Sequence, residues 1–301
     1  MINRRLVSAA TGQLGALTRE QAHAVGLTDE QLRRRVQSGI LTQPGPNVFR
    51  LTGALPDVDR ALRDLVADVG GDVVASRYTA AALHGFDGYR LVAPFDLTIG
   101  RHRQVRRTPH RIHTAVSMPT IDRGEIDGVP VTRAARTLID LARHESPEQL
   151  TVALDSALRD RLVTETSLHR RIVDLRGKGV HGVPRLVEVI EGAEIARGGH
   201  SWLEREFLRL CADAGLPRPT AQMVLARRGD RLVRVDFHFP GTRVVVEVLG
   251  YRWHRSPASL QRDTERLNAL VAQGLQPYQF TYNQVTASPD DVIQQVRCAI
   301  A

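Results

Sequence analysis

The chain is short of cysteine, of lysine and of long apolar runs. Its two cysteines, Cys211 and Cys298, are too few and too far apart for a disulfide framework or a paired-cysteine zinc site. No apolar run reaches the ~20 residues that cross a bilayer. The opening Met-Ile-Asn-Arg-Arg-Leu has no apolar signal core, so a cytoplasmic protein with reduced thiols is expected. Of its 41 basic residues only Lys178 is lysine, and the net charge is +8. Arginine matches phosphate through its planar fork, with codon bias in a GC-rich genome as the alternative source of the Arg/Lys ratio; the charge is the footprint of a polyanion binder. With 301 residues and 42% hydrophobic content the chain can fill two or three domain cores.

What is present centres on residues 233–254. Val233, Val235, Phe237 and Phe239 alternate with Arg234, Asp236 and His238, the period of a half-buried strand. Pro240-Gly241 makes a turn. Arg243 to Leu249 is almost continuously apolar, as a strand covered on both faces is, yet it carries Glu247. A two- or four-residue connection puts Asp236 and Glu247 on one face, roughly 5–8 Å apart at Cβ. Two carboxylates so close need a cation between them, and hard oxygen ligands suit Mg²⁺ or Mn²⁺. The alternative is a structural pair bonded to arginines such as Arg234 or Arg266.

The N-terminus reads as a winged helix-turn-helix. Thr18-Arg-Glu-Gln21 and Thr28-Asp-Glu-Gln31 are capping boxes that each open a helix. Gly26 breaks the first helix. The second turns Leu32 and Val36 inward and Arg33, Arg34 and Arg35 outward, and ends at Gly39. Residues 40–51 read as strand, Pro-Gly turn, strand. The second helix would contact phosphates and the major groove, with the wing on the DNA backbone. Leu17 to Thr28, Leu32 to Val36 and Gly45-Pro-Asn-Val-Phe-Arg-Leu51 resemble the N-terminal domain of AbiEi-type antitoxins of type IV toxin–antitoxin systems. That resemblance covers about the first fifty residues. It implies DNA binding, autoregulation and a cognate toxin or other protein partner.

The middle is sparser in signal. Ala61 to Val69, Ser76 to Leu83, Thr132 to Arg143, Pro147 to Leu162 and Pro184 to Glu191 read as helices, and Phe95 to Ile99 as a strand. Residues 101–113 hold five arginines and three histidines with no acid. As a basic turn between two strands they would offer Arg101, Arg103, Arg106 and Arg107 as a second DNA contact; a solvated charged loop is the alternative. The expected domains are a winged helix-turn-helix (1–55), a mixed α+β middle (56–197) and a C-terminal α/β domain with a mixed sheet (198–301).

In the last domain Ser201 caps a helix with Glu204 as its box partner. A strand from Thr220 precedes the hairpin. Ser256-Pro257 opens a helix with Leu260, Thr264, Leu267 and Val271 inward. Residues 277–282 form a strand parallel to the Glu247 strand through a right-handed crossover, and Ser288-Pro289 opens a final helix. Ser201-Trp-Leu-Glu204, Val235-Asp236-Phe, Val245 to His254 and Asp263-Thr-Glu-Arg266 together resemble the very-short-patch-repair (Vsr-like) branch of the PD-(D/E)XK endonucleases. The resemblance implies a restriction-endonuclease-like fold and Mg²⁺-dependent (or Mn²⁺-dependent) DNA hydrolysis, in which metal activates water and neutralises developing phosphate charge. Asp236 and Glu247 would hold the metal, Glu204 would support it and His254 would position the water. Two positions depart from the pattern: Leu249 stands where the superfamily has lysine, or its near relatives aspartate, and Gln279 where members carry arginine. Single preorganised donors of that kind contribute roughly 3 kcal/mol. The two readings are therefore a DNA endonuclease guided by its winged helix, and a catalytically inactive DNA-binding regulator or antitoxin.

Overall fold

The computed structural model describes residues 16–53, 57–175, 182–197, 202–228, 231–250 and 257–301. The chain divides into two compact units, Met1–Leu141 with Val152–Leu162, and Ala142–Thr151 with Val163–Ala301. The expected borders at 55 and 197 coincide with neither cut. The winged helix shares its unit with a five-stranded sheet, and 163–197 go with the C-terminal sheet.

The first unit begins with β1 (Ala16–Thr18), α1 (Arg19–Ala24), α2 (Asp29–Gln37), β2 (Leu41–Gly45) and β3 (Val48–Leu51). The strands order β1-β3-β2, all antiparallel. Both expected capping boxes form: each threonine hydroxyl accepts from the glutamine N–H three residues on, and each glutamine side chain accepts from the threonine N–H. That satisfies donors a helix start leaves open. Leu17, Ala22, Leu27, Leu32, Leu41 and Phe49 fill the small core, with Val36 packed against it.

Helix α3 (Val58–Val69) follows, then β4 (Val74–Ala75), α4 (Arg77–Leu83), β5 (Asp96–Gly100), β6 (Arg111–Ala115), β7 (Arg123–Ile126), β8 (Val129–Thr132), α5 (Ala134–Leu141) and α6 (Pro147–Arg159). The sheet order is β6-β5-β4-β8-β7. Four of the five expected helices in residues 60–195 lie here, within a few residues of their expected bounds. The expected basic turn is different. Strands β5 and β6 pair in parallel, Asp96 with Arg111 and Thr98 with His113. The ten residues between them therefore return along the strands and do not close a hairpin. Asp127-Gly128, both at positive φ, close the tight β7–β8 hairpin.

The second unit holds α7 (Glu165–Leu175), α8 (Val183–Arg197), α9 (Trp202–Asp213), β9 (Thr220–Arg228), β10 (Arg231–His238), β11 (Val244–Leu249), α10 (Pro257–Ala272), β12 (Gln276–Thr281), α11 (Tyr282–Ala287) and α12 (Pro289–Ile300). The sheet order is β12-β11-β10-β9, mixed as expected, with β11 and β12 parallel. Phe207, Phe237, Phe239, Val244, Val246 and Phe280 belong to the larger core. Val245 packs on the other face with Leu270 of α10. The inward stripe expected for α10 holds only in part: Thr264 is exposed, Leu267 is half-buried, Leu270 is fully buried and Val271 is 56% exposed. Opposite this face, His169 of α7 stacks on Trp202 with ring centroids 3.7 Å apart and hydrogen-bonds the Tyr282 hydroxyl.

Candidate functional site

The residues singled out in the sequence gather chiefly in two places. The first is the outer face of α2. Arg33 and Arg34 are exposed, with side chains 63% and 74% accessible, and both pair with Glu30, at 2.8 and 3.0 Å. Exposed i,i+3 and i,i+4 pairs contribute only a few tenths of a kcal/mol, so a phosphate can displace Glu30. Arg35 departs from the expected outward triplet. It is half-buried and donates to the Gln31 carbonyl at 2.9 Å.

The wing also departs from a freely presented hairpin. Arg50 of β3 forms a buried, two-toothed ion pair with Asp64 of α3. At the wing tip the Asn47 N–H donates to the Asp68 carboxylate, and Asn47 Nδ2 donates to the Asp68 carbonyl at 3.1 Å. Pro44, Pro46 and Asn47 stay exposed at this docked tip. The four proposed contacts of the basic stretch separate as well. Arg101 and Arg106 are exposed, whereas Arg103 and Arg107 are half-buried and bonded to the end of α3.

The second place is on the α10 face of the C-terminal sheet. The turn after Phe239 is the four-residue one: the Phe239 N–H donates to the Val244 carbonyl, and Phe237 pairs with Val246. Asp236 and Glu247 are the next residues along the two strands beyond the Phe237–Val246 pair, as the larger of the two expected connections requires. Asp236 Oδ2 accepts from the Val248 N–H at 2.9 Å. Burial pushes the Asp236 carboxyl up to about 6, and the charges of Glu204 and Glu247 add to the rise, against the Val248 hydrogen bond and Arg266. Glu247 is 1% exposed, and its Oε2 accepts from Arg266 at 2.8 Å and Gln279 at 2.9 Å.

Three carboxylates, Glu204, Asp236 and Glu247, thus share one electrostatic neighbourhood with the Arg266 guanidinium. Glu247 Oε1 is buried without a hydrogen-bond partner, and that orphaned oxygen suits a cation. Among the described residues no group of three His, Cys, Asp or Glu side chains has metal-holding geometry. Leu249 ends β11 opposite Thr281 and offers no ligand. His254 and the Ser201 cap lie outside the described residues.

Comparison with known proteins bears on the first place. Residues 4–52 match the family model described as transcriptional regulator, AbiEi antitoxin. The match spans the winged helix-turn-helix and stops at the end of β3. Two proteins of Mycobacterium tuberculosis, named as the uncharacterized proteins MT2308 and Rv2248, are each 29% identical over 252 residues, covering 82% of this chain and 88% of theirs. The crystal structure of the RV2827C protein from the same organism aligns with a TM-score of 0.38 at 15% identity, covering 63% of this chain and 80% of that one. No helix among the described residues is long and apolar enough to cross a membrane.

The reading from sequence missed Asp64, Asp68 and Gln279 as partners. Asp64 and Asp68 lie a helical turn apart on α3, a spacing visible in the sequence, but what they meet comes from residues up to 39 positions away. The Gln279 partnership follows from the parallel register, which sets Gln279 beside Glu247.

Proposed function

We propose that the protein is a DNA-binding transcriptional regulator of the antitoxin type, whose winged helix directs it to DNA. The observation that carries this is α2: a doubly capped helix-turn-helix with Arg33 and Arg34 exposed on its outer face, inside the segment that matches the AbiEi regulator model. A cognate toxin is the partner this reading implies. Arg266 and Gln279 both donate to Glu247 Oε2, an arrangement that a purely structural carboxylate would have and that supports a non-catalytic second unit. DNA affinity measured by fluorescence anisotropy across a salt series tests the reading. The wild type should lose affinity linearly in log salt, by about 0.9 log units per neutralised phosphate, and Arg33→Ala with Arg34→Ala should weaken binding at least tenfold. An affinity that ignores both salt and these substitutions would refute it.

A metal-dependent DNA endonuclease is the second reading, favoured by the orphaned Glu247 Oε1 and the raised Asp236 carboxyl. Mg²⁺ or Mn²⁺ held by Asp236 and Glu247 would activate water. Supercoiled, linear and mismatched DNA incubated with either ion separates the two. Cleavage by the wild type, lost in folded Asp236→Ala and Glu247→Ala, establishes the enzyme; tight binding without cleavage leaves the regulator.

A further inference from the structure

The basic stretch between β5 and β6 is not a uniform patch. Arg103 donates to the Gly70 carbonyl at 2.7 Å and to the Val69 carbonyl at 2.6 Å, so its guanidinium caps the C-terminus of α3. There it meets both the open carbonyls and the negative end of the helix dipole. A side chain on Gly71 would collide with it, the Cβ falling 2.9 Å from Arg103 Nη1. Arg107 pairs with the Asp68 carboxylate, and Arg111 pairs with Asp96 at 2.8 Å. These three arginines anchor the loop. Arg101 and Arg106 anchor nothing. Both are exposed, and neither has a side-chain ion pair among the described residues.

The anchor is shared with the wing. Asp68 is 2% exposed, and its one carboxylate takes the Asn47 N–H from the wing tip and the guanidinium of Arg107 from the loop. The tip lies so close that a Cβ on Gly45 would come within 2.4 Å of Asp68 Cγ. Arg107 Nη1 also holds the Arg106 carbonyl at 2.9 Å, which fixes the backbone that presents Arg106. Wing tip and basic loop, about sixty residues apart in sequence, are therefore pinned to one buried charge.

We infer that the wing tip and the loop form a single phosphate-binding surface, in which Arg101 and Arg106 neutralise duplex DNA phosphates beyond the segment read by α2. Asp68 is its positioning residue. The inference rests on the proposed DNA-binding function and adds the partner's contact points. Two exposed arginines on a backbone held by three internal anchors lose little backbone entropy on meeting phosphate, and 101–113 itself contains no acid.

The full-length protein and a short random-sequence duplex, titrated with KCl, test it. Arg101→Ala with Arg106→Ala should reduce the log–log salt slope by about 1.8, the value for two phosphates. Arg209→Ala removes one positive charge from the second unit, where Arg209 pairs with Glu206 and Asp213, and should leave the slope in place. An unchanged slope in the double variant overturns the inference, and so does a comparable drop in Arg209→Ala, which would reduce the effect to net charge. If the wild type binds, Arg33→Ala with Arg34→Ala weakens binding and the loop variant does not, this inference fails alone. If the wild type shows no salt-dependent affinity, the proposed function fails with it.

Discussion

Asp236 shows how one side chain is held against its own preference. Its folded carboxyl titrates at about 6 against an ordinary 3.8, chiefly through burial. The folded state therefore holds the proton more tightly than the unfolded one. Stability falls as pH rises from about 4 to about 6, and the full penalty persists above that. A shift of about two units corresponds to roughly 3 kcal/mol. Asp236→Asn keeps an acceptor for the Val248 N–H and removes the charge. It should raise the midpoint of urea unfolding at pH 7 and change little at pH 4; a variant less stable at pH 7 would show that the charge is needed, as a bound cation would require. The proximity of Asp236 and Glu247 was legible in the sequence because strand alternation and a Pro-Gly turn leave few registers. Arg266 was one of two arginines on offer as a countercharge, and the fold sets it on Glu247.

At the scale of elements, the wing and α3 are held by charges that a helix–sheet contact of this size rarely hides. Arg50 and Asp64 are 7% and 5% exposed. Breaking one side of a buried pair costs about 3–5 kcal/mol because the other charge is stranded. Asp64→Ala should lose stability on that scale in chemical denaturation, and Arg50→Met with Asp64→Leu should recover most of it. A loss no larger than that of an exposed pair would mean water reaches the site. Elements with local signals were read well: both N-terminal capping boxes, the hairpin of β10 and β11, and the parallel β12 all follow from caps, alternation and turn residues. Helices α7 and α11 and strands β1, β4, β7 and β8 were missed. The two-residue β4 is too short to show a period, but Asp127-Gly128 between Ile126 and Val129 is a hairpin signal that was there to be used. The course of the basic loop was not local at all, since the parallel pairing of β5 and β6 depends on residues far from it.

For the whole molecule, acidity pulls the second unit in two directions. His169 is held neutral, its imidazole pushed down to about 3 by burial and by the charge of Arg205. A base with a lowered folded value gives stability that is present above the unfolded value near 6.5. It is lost as pH falls below that, at about 1.4 kcal/mol per pH unit. Between about pH 6 and pH 4 this loss runs against the gain from Asp236. The wild-type melting temperature, followed by tryptophan fluorescence since Trp202 stacks on His169, should fall less on acidification across that window than that of Asp236→Asn. In Asp236→Asn it should fall steadily on acidification. Equal slopes in the two proteins would mean that the two groups do not titrate as their surroundings dictate.

Neither unit is a single run of chain: the first ends only at Leu162, after 142–151 have already been given to the second. On the ribosome this sets an order. Chains fold from the N-terminus as they emerge, so everything the winged helix and its Asp68 anchor need is made by the time residue 162 is added. The first unit is complete before the first strand of the C-terminal sheet exists. A message that stopped shortly after residue 162 would still encode all of it, together with a ten-residue stretch that belongs to a unit never made.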